Sequence, residues 1–107
     1  MGAIAHLQEI DAFTLHTWLS QEEIVLIDVR SAEEYAEERI SGGVLIPHTE
    51  LQPEHLPRGD RKWVLYCRSG NRSAQAARKL LDAGLKEMIH LKGGILAWKV
   101  AGYETTH

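Results

Sequence analysis

Short apolar runs alternate with segments of helical spacing along the chain. Five runs have the length of β-strands: residues 7–10, 24–28, 44–46, 63–66 and 88–91. Between and after them, helices are predicted from about residues 11–20, 31–38, 50–56, 74–83 and 95–100. Such alternation predicts an α/β fold in which a central parallel five-stranded sheet carries helices on both faces.

Capping residues mark where several of these helices begin or end. Either Asp11 or Thr14 can cap the first helix. Ser31 and Glu34 have the spacing of a capping box, which starts the second. Gly84 follows the long alanine-rich segment and is expected to end it.

The only cysteine stands in a polar loop between the fourth strand and this alanine-rich helix. Thiolate, not thiol, is the nucleophile, and a free cysteine with a pKa of about 8.5 is mostly protonated at neutral pH. A helix N-terminus directs unpaired N–H groups and the positive end of its dipole at Cys67. Arg68 and Arg72 add positive charge. These features favour a thiolate and an anionic ligand at the loop.

Two residues of this loop tolerate positive φ. Gly70 and Asn71 allow the chain to curl its amides inward around the sulfur as an anion-binding nest. The predicted active-site loop therefore comprises Cys67 and the six residues that follow it: Arg68, Ser69, Gly70, Asn71, Arg72 and Ser73.

Asp28 is the last residue of the second predicted strand and Arg30 follows it, so both are expected on the same rim of the sheet as Cys67. In parallel sheets, ligands bind where loops leave the carboxyl ends of the strands. Three polar groups from distant parts of the chain are thus predicted to meet there.

Composition limits the remaining possibilities. The 107 residues fit one domain, and the net charge of -3 argues against nucleic-acid binding. One cysteine excludes an internal disulfide and a cysteine-only zinc site, and no pair of the six histidines has the His-x3-His spacing of helical zinc sites. Surface or half-buried histidines are expected. The sequence shows no signal peptide and no apolar run approaching the roughly 18 residues of a membrane span, so a cytoplasmic location is expected.

The loop sequence of residues 67–73 resembles the active-site loop of rhodanese-domain sulfurtransferases, especially the single-domain bacterial members. Other signposts of that family occur in the same order along almost the whole chain: Asp28-Val29-Arg30, Glu34-Tyr35, Ile40-Ser41-Gly42-Gly43 with Ile46-Pro47, and Gly93-Gly94 with Trp98 and Gly102. This resemblance implies the rhodanese-like fold over residues 1–107 and a thiosulfate sulfurtransferase type of activity.

The implied reaction passes sulfur through a Cys67 persulfide. The thiolate attacks the outer sulfur of thiosulfate or of a persulfide donor, while Arg68 and Arg72 hold the donor's charge. Cyanide, a thiol or a protein thiol then accepts the sulfur. The resemblance also implies a supporting role for Asp28, through hydrogen bonds to the loop or neighbouring backbone, and a charge-pairing or rim role for Arg30. It implies no metal and no cofactor.

Loop length separates this chemistry from that of related phosphatases and arsenate reductases. Those proteins use Cys-x5-Arg, whereas Arg72 gives this chain the shorter Cys-x4-Arg and Ser73 stands at the later position. Two alternatives stay open. The protein could relay persulfide to a partner in sulfur-cofactor or tRNA thiolation pathways, or it could be a non-catalytic interaction module, although an intact cysteine with both arginines argues against the latter.

Overall fold

Five strands and four α-helices alternate along residues 6–107, which are the residues that the computed structural model describes. The strands are β1 (His6–Ile10), β2 (Ile24–Asp28), β3 (Gly43–Leu45), β4 (Lys62–Tyr66) and β5 (Glu87–Leu91). The helices are α1 (Ala12–Ser20), α2 (Ala32–Glu37), α3 (Asn71–Asp82) and α4 (Gly94–Val100). No helix in this part of the chain is long and apolar enough to cross a membrane.

The strands form one parallel sheet in the order β1-β5-β4-β2-β3. β4, which leads into Cys67, is therefore the middle strand, with β5 on one side and β2 on the other. The carboxyl ends of all three meet at one rim of the sheet, as the sequence predicted.

Helices cover both faces of the sheet, so the predicted fold class is confirmed. Neighbouring side chains on a strand point to opposite faces, and the core is accordingly divided into two apolar clusters. One cluster contains residues of α1 and α4 together with Leu26, Val64 and Ile89. The other contains residues of α3 together with Ile27, Leu65, Cys67 and Met88.

Local chemistry explains where the helices begin. Asp11, and not Thr14, caps α1, because its carboxylate accepts the Thr14 N–H at 2.8 Å. The predicted capping box of Ser31 and Glu34 is present at α2. α3 begins at Asn71, three residues before the predicted start at about residue 74.

The helix predicted around residues 50–56 was expected to have one or two turns, and the shorter form is present. Only a single 3₁₀ turn, Pro53–His55, forms there. Leu56 is extended, as the residue before Pro57 is expected to be, and proline has no N–H with which to continue a helix.

A buried polar network joins the ends of β2 and β4. The Asp28 carboxylate accepts from Arg30 Nε at 2.9 Å, from Arg30 Nη2 at 2.7 Å and from the Tyr66 hydroxyl at 2.7 Å. Tyr66 in turn accepts the Ile40 N–H at 3.1 Å, and Arg30 Nη2 donates to the Glu38 carbonyl at 2.7 Å. The network thus ties the segment after α2 to the strand that precedes Cys67.

Burial and charge shift two pKa values in this network. Burial alone would lower the pKa of Arg30, but the hydrogen bonds and charge of Asp28 outweigh it and raise that pKa. Burial, together with the Asp28 carboxylate, raises the pKa of Tyr66 well above its ordinary value. The tyrosine therefore stays protonated and serves as a donor to Asp28.

Replacing Tyr66 with phenylalanine is expected to destabilise the fold by about 1–3 kcal/mol, because Asp28 loses a donor and the buried Ile40 N–H loses its acceptor. Urea unfolding measures this change. Tyr35→Phe is the matched control, since the Tyr35 hydroxyl makes no hydrogen bond within residues 6–107. Equal stability losses in the two variants would contradict the role given to the Tyr66 hydroxyl.

Candidate active site

The Cys67 sulfur lies directly after β4 in a loop that curls around it. The Gly70 N–H donates to Sγ at 3.0 Å and the Ser73 N–H donates at 3.4 Å. Gly70 has φ of 104°, which lets its amide turn inward at low conformational cost. Asn71 contributes differently from the prediction, because it adopts a helical conformation as the first residue of α3.

The sulfur also lies at the N-terminus of α3, as expected from the sequence. Gly70 is the N-cap of this 12-residue helix, and Ser73 belongs to its first turn. The amides of a first helical turn have no partner within the helix, and the dipole there favours negative charge. Backbone dipoles of both the loop and the helix therefore converge on Sγ.

A second turn holds this loop from behind. The Ile95 N–H donates to the Cys67 carbonyl at 2.9 Å, and the Leu96 N–H donates to the Arg68 carbonyl at 3.1 Å. Both donors belong to the first turn of α4. Gly94 permits the approach, because a Cβ at this position would collide with the carbonyls of Cys67 and Arg68.

Arg72 is paired with a carboxylate that sequence reasoning did not assign to the site. Its guanidinium donates to Glu34 Oε1 at 2.6 Å and to Oε2 at 2.8 Å. Hydrogen bonds from Arg72 lower the pKa of Glu34 to about 2, although partial burial acts in the opposite direction. Both loop arginines were expected to hold the charge of the substrate. The ion pair of Arg72 with Glu34, which bridges α2 and α3, was not predicted.

The other loop residues differ in their exposure. Arg68, Ser69 and Asn71 are exposed at the rim, and Ser73 is buried beneath the sulfur. The Arg68 side chain has no carboxylate partner among residues 6–107. It is therefore the loop cation that is open to solvent.

Asp28 and Arg30 reach the same rim but bond to each other instead of to residues 67–73. Asp28 accepts from the Arg30 backbone N–H at 2.9 Å as well as from its guanidinium. Within residues 6–107, the hydrogen bond from the Tyr66 hydroxyl links the Asp28 carboxylate to the residue that directly precedes Cys67. Arg30 has the expected charge pair, but it is only 4% exposed.

His90 of β5 forms a hydrogen bond with Ser73 of the candidate site, and sequence reasoning missed this contact. Its Nδ1 lies 2.9 Å from Ser73 Oγ and its Nε2 lies 2.9 Å from Glu9 Oε2. The expectation of surface or half-buried histidines is wrong for His90, which is 2% exposed. The signal was available in strand alternation, which places His90 with Met88 on the α3 face of the sheet.

A family model described as a rhodanese-like domain matches residues 11–101. This chain belongs to the rhodanese-like family. Its fold is thus that of a rhodanese-like domain, as the resemblance implied.

Relatives of this rhodanese-like chain include proteins named as sulfurtransferases. It is 36% identical to a "Sulfurtransferase" of Allochromatium vinosum, over 86% of this chain and 88% of that protein. It is 43% identical to an uncharacterized protein of Synechocystis, over 86% of this chain and 52% of that protein. The crystal structure of a thiosulfate sulfurtransferase from Pseudomonas aeruginosa superposes with a TM-score of 0.84 at 28% identity, over 95% of this chain and 20% of that one.

The rhodanese-like chain is thus similar in length to one of these proteins and much shorter than the others. It spans about half of the Synechocystis protein and one fifth of the Pseudomonas aeruginosa chain. It therefore matches only one part of each of those two proteins.

Gly94→Ala is expected to displace the cysteine loop. The left-handed conformation at φ of +61° costs alanine about 1–2 kcal/mol, and the collision with the loop carbonyls adds about 1–3 kcal/mol. Gly102→Ala isolates the first cost, because Gly102 has φ of +91° with open space around it. Urea unfolding and alkylation of Cys67 by iodoacetamide are the measurements. Similar results for the two variants would refute the proposed contact.

Acid is expected to remove the stabilisation that comes from the Glu34–Arg72 pair. The folded-state pKa of Glu34, about 2, lies below its ordinary value of 4.5, so the stabilisation is fully present above pH 4.5 and is lost as pH falls towards 2. The difference in unfolding free energy between native protein and Glu34→Gln should shrink over that interval. Glu33→Gln, an exposed neighbour, should show no such trend. A difference that stays constant with pH would exclude the pair as its source.

Proposed function

We propose that this protein is a sulfurtransferase that carries sulfane sulfur as a persulfide on Cys67. The observation that supports this most strongly is the convergence of the Gly70 and Ser73 amides on Sγ, at 3.0 and 3.4 Å. Such preorganised donors favour an anionic sulfur, which is both the attacking group and the state that a persulfide adopts.

The first half-reaction forms one sulfur–sulfur bond and breaks another. The Cys67 thiolate attacks the outer sulfur of thiosulfate, and sulfite leaves with the electron pair of the old bond. The persulfide that remains carries the same single negative charge as the thiolate, so the same loop amides can stabilise it. Attack by cyanide on the outer sulfur then releases thiocyanate and regenerates the thiolate.

Arg68 is the residue proposed to attract an anionic donor. It directly follows Cys67 in the chain, is exposed, and has no carboxylate partner among the described residues, whereas Arg72 is bound to Glu34. Arg72 is proposed to brace the first turn of α3, which holds Ser73 and its amide against Sγ. The two arginines therefore have separate roles, one in binding and one in positioning. Asp28 and Arg30 are proposed to support the loop through Tyr66.

The names of the relatives support the same class of reaction. One relative is named a sulfurtransferase and one structural relative is named a thiosulfate sulfurtransferase. Thiosulfate is thus the first donor to test. A small persulfide is the second, since a relay protein would accept sulfur from another persulfide.

The direct test is the intact mass of the protein after incubation with thiosulfate and removal of the donor. Native protein should gain about 32 Da, the mass of one sulfur, and Cys67→Ala should gain nothing. Cyanide should reverse the gain and release thiocyanate. Loading from the small persulfide alone would favour a relay function, and no loading from either donor would refute the sulfurtransferase and leave a binding module.

Arg68→Gln tests how the donor is bound. Loading from thiosulfate at low donor concentration should fall about tenfold, as for loss of a hydrogen bond to a charged group. Alkylation by uncharged iodoacetamide should fall much less. Arg61→Gln is the control, because Arg61 is an exposed arginine that precedes β4, at its other end. Equal losses in both variants would assign the effect to net charge alone.

A further inference from the structure

A chain of hydrogen bonds runs from the Cys67 sulfur to the surface. The thiol donates to Ser73 Oγ at 3.5 Å, Ser73 Oγ lies 2.9 Å from His90 Nδ1, and His90 Nε2 lies 2.9 Å from a Glu9 carboxylate oxygen. Ser73 and His90 are buried, whereas the Glu9 side chain is 53% exposed. Ser73 therefore contacts the sulfur twice, through its backbone N–H and through the hydroxyl that begins this series of hydrogen bonds.

The carboxylate fixes the direction of these bonds. An ionised Glu9 can only accept, so His90 Nε2 carries the hydrogen, and a neutral imidazole then has Nδ1 as its acceptor. Nδ1 is thus suited to receive the Ser73 hydroxyl hydrogen. The Gly70 carbonyl at 3.2 Å is the other acceptor within reach of that hydroxyl, and it is the more distant one. A lone pair of Ser73 Oγ stays available for the thiol hydrogen.

We propose that Ser73 and His90 form a proton relay that takes the thiol proton from Cys67, with Glu9 stabilising the imidazolium that results. The inference rests on the proposed function, in which Cys67 is the nucleophile. It assigns to His90 and Glu9 a part in that reaction as positioning and proton-holding residues that do not touch the donor.

The transfer balances without any further reactant. The S–H bond of Cys67 breaks as its proton passes to Ser73 Oγ, and the original hydroxyl proton of Ser73 passes to His90 Nδ1. The products are a thiolate and an imidazolium, with the serine unchanged. The hydroxyl can then donate to the thiolate while Nδ1–H donates to the hydroxyl, so every bond between His90 and the sulfur reverses direction.

The surroundings of His90 suit a proton acceptor that is neutral while Cys67 is still protonated. Burial lowers the pKa of His90, and Glu9 on β1 acts against this. Arg78 on α3 lowers it further. Glu9 faces an open depression of about 590 Å³ that Gly70 and Arg78 also line, so the outer end of the relay can exchange protons with solvent.

The rate at which iodoacetamide alkylates Cys67 as a function of pH tests the relay without requiring sulfur transfer. His90→Asn should slow alkylation about tenfold at pH 6–7, the effect of losing one interaction with a charged group, and the rates should converge at high pH. Glu9→Gln should change the rate in the same direction by about threefold, since only the stabilisation of the imidazolium is weakened.

A matched control separates this effect from a general loss of negative charge. Glu87→Gln removes another partly exposed carboxylate, on the same strand as His90, and should leave the alkylation profile unchanged. Glu9 has an exposed side chain, so Glu9→Gln keeps the test valid even if His90→Asn unfolds. Native profiles in both the His90 and the Glu9 variants would overturn the relay.

The NMR spectrum of the His90 ring gives an independent readout. At a pH where native Cys67 is readily alkylated, a larger share of His90 rings should carry protons on both nitrogens in native protein than in Cys67→Ala, because only the native protein has a thiol proton to pass to Nδ1. Identical ring ¹⁵N shifts in the two proteins would also refute the relay. If the native protein takes up no sulfur, the proposed function fails, and the alkylation and NMR results still decide whether the relay exists.

Discussion

The close approach of two backbone turns is the constraint on which the rest of the site depends. The first turn of α4 binds the carbonyls of Cys67 and Arg68, and Gly94 is the residue that allows the two chains to touch. With these carbonyls directed away from the sulfur, the following amides of the loop are free to face it. The inward orientation of the loop amides therefore depends on a turn that lies more than twenty residues further along the chain.

Two ion pairs surround this backbone arrangement and differ in their physical roles. The Asp28–Arg30 pair is buried, and such a pair needs every partner because an unpaired buried charge is costly. The Glu34–Arg72 pair is partly exposed, and its value lies in fixing one geometry for the first turn of α3. The first pair secures the strand before the cysteine and the second secures the helix after it. The sulfur is thus held on both sides by charges that never contact it.

The strands, most of the helices and the position of Cys67 between β4 and α3 could be predicted from sequence because their determinants are local. Apolar runs marked the strands, a capping box marked α2, and a glycine after the cysteine marked the inward curl of the loop. Features that depend on tertiary structure could not be predicted in this way. Arg72 and Glu34 are 38 residues apart, and His90 lies 17 residues from Ser73, so their pairing depends on strand order and on the face towards which each side chain points. The start of α3 at Asn71 was missed for a related reason, since Arg72 in its first turn is held by a distant glutamate.

Glu9 belongs to β1, one of the two edge strands of the sheet, whereas the cysteine follows the middle strand. An edge strand has a hydrogen-bonded neighbour on one side only and opens locally at a lower free energy than the centre. Transient opening of β1 would take the carboxylate away from His90 while β4, the loop amides and the sulfur kept their positions. Under the proposed relay, Cys67 would then keep its position in the loop while its reactivity fell, so that local opening at the edge of the sheet would alter reactivity at its centre.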